Sequence, residues 1–142
     1  MKEEIPPNFP VLTLTLMRYL AALRELDGNQ TRFVKALDLL SNEFWTKHVE
    51  IHKPEVFQPI MENILGKDDA ARVADFAANE GKAVLAKNTD IAINDGAFGL
   101  PWFTCTNSKG ETEGFWGVDK LGFALSFMGL EKPSTGVWKS LL

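Results

Sequence analysis

Cys105 is the only cysteine in 142 residues, so an intramolecular disulfide, a C-x-x-C redox pair and a thiolate metal site within the chain are all excluded. A basic excess is missing too: 15 Lys and Arg stand against 19 Asp and Glu, for a net charge of −4. No basic stripe with interleaved aromatics forms, which argues against nucleic acid as a partner. Long apolar runs are also absent. Stretches such as Val11 to Leu16 fall far short of a membrane span, and the acidic, proline-containing start has neither a basic n-region nor an apolar h-region. The expectation is an intracellular protein in a reducing compartment, with no membrane partner. Cytoplasm, mitochondrion and peroxisome are not distinguished, and the C-terminal Ser140-Leu141-Leu142 does not match S-K-L.

What is present is the make-up of a globular protein, with 45% apolar and 24% charged residues. The length suits one domain, 1–142, which buries roughly two thirds of its unfolded surface. Apolar residues at Val11, Leu12, Leu14, Leu16, Leu20, Leu23 and Leu26 predict a first helix over about Pro10 to Leu26. Asp27-Gly28-Asn29 supplies a stop and then an N-cap candidate, and Phe33, Val34, Leu37, Leu40, Phe44, Trp45 and Val49 trace a second helix that ends near His48. Pro54 heads a third helix to Leu65, Asp68 and Asp69 open a fourth through Ala78, and Glu80 opens a fifth that Gly96 stops.

From Trp102 the pattern changes. Two β-prone runs, Trp102 to Thr106 and Thr112 to Trp116, flank the turn Asn107-Ser108-Lys109-Gly110 and predict a hairpin. A last helix follows from about Asp119 to Met128, capped by Gly129, and the tail from Pro133 to Leu142 reads as irregular. The fold class is mainly α: a helical part over about 10–96, then a C-terminal β-hairpin and helix over 97–132. Cys105 reads as a small buried strand residue rather than a reactive thiol.

The stretch Asp95-Gly96-Ala97-Phe98-Gly99-Leu100-Pro101-Trp102-Phe103 breaks a helix with two glycines and heads a strand with a proline. Proline is tolerated there because the first strand position need not donate to the ladder, and the Leu100-Pro101 bond is expected to be cis. Together with Gly114-Phe115-Trp116-Gly117-Val118-Asp119-Lys120-Leu121, this segment resembles the C-terminal signature of kappa-class glutathione transferases and the related 2-hydroxychromene-2-carboxylate isomerases, thioredoxin-fold enzymes of the DsbA-like type. Their G-x-F-G-x-P-x-F motif leads into a hairpin, and their F-W-G-x-D-[RK]-L motif leads out of it.

The resemblance implies a partial thioredoxin-like fold and a half-site for glutathione as substrate. Leu100 and Pro101 would meet the cysteinyl part of the peptide, and Val118 and Asp119 its γ-glutamyl end. A hydrophobic small molecule would be the second partner, for conjugation or glutathione-assisted isomerisation. The relatives often carry a polar residue where Val118 stands. Their opening strand-helix-strand unit, with its thiolate-activating Ser, has no counterpart, so no residue is carried over as catalytic.

Each candidate has a plainer role beside it. Asp119 suits an N-cap, and Phe98, Trp102 and Trp116, which would line an apolar pocket, suit ordinary core packing. His48 and His52 are four apart, but Lys53-Pro54 breaks the helix and no third ligand converges, so no metal is expected. Three readings stay open: a glutathione transferase or isomerase relative; a scaffold that binds a small molecule without glutathione; and a non-catalytic interaction module that uses its hairpin for strand addition. An uncovered hairpin bearing Trp102, Phe103, Phe115 and Trp116 leads to the expectation of a homodimer.

Overall fold

The computed structural model describes residues 5–131. The expected tail, 133–142, lies outside the described residues. Two compact units divide the chain at Lys87 and Asn88. The first holds α1 (Leu14–Leu26), α2 (Thr31–Lys47), α3 (Pro54–Leu65), α4 (Lys67–Asn79) and the start of α5 (Gly81–Asn94). The end of α5 belongs to the second unit, with β1 (Trp102–Thr106), β2 (Thr112–Trp116), a 3-10 turn at Val118–Lys120 and α6 (Leu121–Phe127).

The first unit is a helical bundle with one core, in which Leu16, Tyr19, Leu23, Leu40, Phe57, Met61 and Val73 are buried together. Tyr19 and Phe57 meet edge to face at 5.4 Å, and the Tyr19 hydroxyl donates to the Ala70 carbonyl at 3.1 Å, tying α1 to α4. Burial, with Glu62 adding to it, pushes the Tyr19 phenol up to about 12. Where α5 begins, Gly81 lies against the Arg18 backbone, and a Cβ there would come within 3.1 Å of the Arg18 carbonyl oxygen.

Two helix starts differ from the sequence expectation. The first helix opens at Leu14 rather than Pro10, with Thr13 at its N-cap position. The apolar Val11 and Leu12 therefore lie outside the helix. The second helix is capped by Asp27 rather than Asn29. The buried Asp27 carboxylate accepts the N–H groups of Arg32 at 2.9 Å and Phe33 at 3.0 Å, which are free donors of the first turn. Asn29 accepts only from Thr31.

In the second unit β1 and β2 pair antiparallel, with Trp102 opposite Trp116, Phe103 opposite Phe115 and Cys105 opposite Glu113. Alternation places Phe103, Cys105 and Phe115 on one face, where Phe115 stacks on Phe127 of α6 at 5.9 Å and Cys105 is buried. The turn is fixed by Asn107, whose side-chain oxygen accepts from Lys109 and Glu111 at 3.0 Å each. Gly110 supplies the positive φ.

At the end of α6, Gly129 at φ 70° donates to Ser126 and Leu130 donates to Leu125. These are the two reverse bonds of a Schellman cap. The last helix itself is shorter than expected: Asp119 sits in the middle of the 3-10 turn, and α6 proper starts at Leu121.

Candidate ligand site at the cis-proline loop

The loop 96–101 is held from both ends. Asp95, just past α5, accepts a hydrogen bond from the Thr104 hydroxyl at 3.2 Å. At the other end the Leu100-Pro101 peptide is cis, as the sequence led us to expect, and the Pro101 carbonyl accepts the N–H of Gly117 at 3.0 Å. That bond continues the β1–β2 ladder by one rung. It sets Pro101 opposite Gly117, so the segment that holds Leu100 and Pro101 neighbours the one that leads into Val118 and Asp119.

The side chains of Leu100 and Val118 are exposed, at 80% and 65%, so neither is a core residue. Among the described residues the peptide groups of Leu100 take no hydrogen bond, and an extended ligand can pair with them. Asp119 does not cap a helix with its side chain, which corrects the plainer role assigned to it. Its carboxylate pairs with Lys120 Nζ at 3.0 Å, and Lys120 holds it below the usual carboxylate range. Asp119 is therefore an anion at neutral pH, exposed and able to take an ammonium group. Because α6 has only 7 residues, its dipole adds little here, and the electrostatics lie with Asp119 and Lys120.

Phe98, Trp102 and Trp116 are brought together, with Phe98 at 5.7 Å from Trp102 and 5.1 Å from Trp116. They pack on one another rather than line a pocket. The open groove of about 300 Å³ beside the loop is bordered instead by residues that include Asn88, Ala92, Ile93, Ala97 and Leu100. Ala97 belongs to the segment already singled out, whereas Asn88 and Ala92 carry no signal in the sequence beyond that of ordinary α5 positions.

His48 takes a left-handed conformation just past α2, with φ 59°, so it does not share a continuous helix with His52. Among the described residues no three His, Cys, Asp or Glu side chains converge as metal ligands, and no helix is long and apolar enough to cross a membrane.

A family model, the DSBA-like thioredoxin domain, matches residues 2–128. The chain belongs to that family. Its members are thioredoxin-fold oxidoreductases, transferases and isomerases, and the match takes in the helical unit as well as the hairpin. No curated protein matches the chain. In this DSBA-like chain the one cysteine of the sequence, Cys105, is buried on the α6 side of the hairpin.

Proposed function

We propose that this DSBA-like domain binds glutathione across the cis-proline loop and the turn into α6, as a relative of the kappa-class transferases and 2-hydroxychromene-2-carboxylate isomerases that keeps their C-terminal half-site. The observation that carries the reading is the Gly117-to-Pro101 hydrogen bond at 3.0 Å. It makes the segments that carry the open Leu100 peptide and the exposed Asp119 carboxylate neighbours, which supports reading them as one patch.

The Leu100 backbone supplies a donor and an acceptor for the cysteinyl residue, and Asp119 supplies the counter-charge for the γ-glutamyl ammonium. A hydrophobic small molecule is the co-substrate of the conjugation or isomerisation. The half-site positions a thiol but holds no group that activates it. Among the described residues the only strands are those of the hairpin, so a strand-helix-strand unit carrying such a group is not among them.

Calorimetric titration with glutathione tests this reading. The account expects saturable binding, weakened roughly fivefold or more in Asp119→Ala by loss of a charge-assisted contact at an exposed site. No heat of binding at millimolar glutathione would retire it.

A second reading is favoured by exposure. Phe98, Leu100, Trp116, Val118 and Phe123 are at least half exposed on the second unit, more apolar surface than scattered single residues explain. On this reading the patch is an interaction surface covered by a second copy of the chain. Light scattering at micromolar concentration then returns the mass of a dimer, and a monomer mass contradicts it.

A further inference from the structure

Trp102 and Trp116 are register partners on one face of the hairpin, and each indole lies over a glycine. Trp102 covers Gly114, where a Cβ would come within 2.7 Å of Cη2, and Trp116 covers Gly99, where a Cβ would come within 2.9 Å of Cε2. Phe98 stands against both rings. In one respect the two indoles differ. Trp102 spends its N–H inside the protein, donating to Thr104 Oγ1 at 3.1 Å. The N–H of Trp116 has no protein partner among the described residues, although Nε1 is the indole atom nearest Gly99. A donor is thus left open at the cis-proline loop, one residue from the open Leu100 peptide.

We propose that the Trp116 indole N–H is a ligand donor that selects for an acceptor oxygen, a carbonyl or carboxylate, in an extended peptide-like ligand lying along Leu100. The inference rests on the peptide-binding reading of this patch and adds to it the chemistry the ligand must present. Trp116 is half exposed, so solvent water can reach its N–H in the free protein. A ligand that displaces this water without offering an acceptor loses affinity, so Trp116 rejects purely apolar occupants of the same surface.

The test uses the full chain labelled with 15N in its tryptophans and titrated with glutathione, following the indole N–H resonances, with Trp116 assigned from Trp116→Phe. The expected result is that the Trp116 resonance moves downfield to saturation and exchanges more slowly with water, while that of Trp102 stays in place. Trp116→Phe, which keeps an aromatic ring over Gly99, binds roughly three- to tenfold more weakly, as loss of one hydrogen bond requires. Should that variant fail to fold, the Trp116 indole is assigned by triple-resonance connectivities in the wild-type chain, and its titration decides alone. Saturable glutathione binding with an unmoved Trp116 resonance would overturn the role of Trp116 and leave the glutathione reading standing. Absence of saturable binding would overturn both.

Discussion

Replacing Phe57 by Ala is expected to destabilise the helical unit by about 4 kcal/mol, within the usual cost of emptying a fully enclosed aromatic site. Phe57 is 1% exposed and packs edge-on against Tyr19, in a cluster that includes the fully enclosed Leu23 and Met61. The ring comes from the second turn of a helix that continues through Pro59, so its neighbours are held on a rigid element and collapse little into the void. Urea denaturation followed by circular dichroism checks this as a fall in midpoint at unchanged slope. Val34→Ala, at a position 51% exposed on α2, should shift the midpoint by a small fraction of that. Equal shifts for the two variants would contradict the core assignment.

Asp27→Ala should lower the melting temperature by roughly 10 °C, because one side chain serves as the N-terminal cap of α2 and as a buried ion-pair partner. Its loss strands the Arg32 and Phe33 N–H groups and the Arg32 guanidinium, whose Nε donates to Asp27 Oδ1 at 3.1 Å. Arg32 also pairs with Asp69 of α4 at 2.6 Å, so the change loosens a contact between helices.

The effect depends on pH with a definite sign. The Phe33 N–H first, and then Arg32, hold the Asp27 carboxyl below its usual range. The stabilisation is therefore fully present above the ordinary carboxylate range and is lost as pH falls through the depressed folded value. Wild type and Asp27→Ala should converge in acid, as melting curves across the acidic range will show. A constant gap down to the lowest pH would mean that the carboxylate charge is not what stabilises the cap.

Much of the fold was legible because its elements obey local rules. Pro54 and Leu65 bound the third helix as read, since a proline at the first turn and a glycine after the last are strong local signals. The hairpin strands fall on Trp102–Thr106 and Thr112–Trp116 as read, fixed by alternation and by the Asn107 to Gly110 turn. What was not legible depended on contacts the chain makes with itself at longer range. Asn29 and Asp27 are both plausible caps in sequence, and only the burial of Asp27 beside Arg32 decides between them.

The site shows the same division. That the Gly-x-Phe-Gly-x-Pro segment and the Trp116-Gly117-Val118-Asp119 run flank one hairpin could be read from the sequence. Its asymmetry could not, because Trp102 and Trp116 are equivalent by pattern and differ in exposure and in whether the indole N–H finds a protein partner. The groove lined by Asn88 and Ala92 was hidden for a related reason, since small α5 residues mark a surface depression only once the loop is placed beside them.

The most direct test of the site is a backbone amide map of glutathione titrated into the 15N-labelled chain. The account predicts saturable shifts at Leu100, Trp102 and Val118 to Lys120, moving together with one dissociation constant, while core amides of α1 and α3 such as Leu23 and Met61 stay in place. Shifts absent from those residues at saturation, or confined to the helical unit, would contradict it.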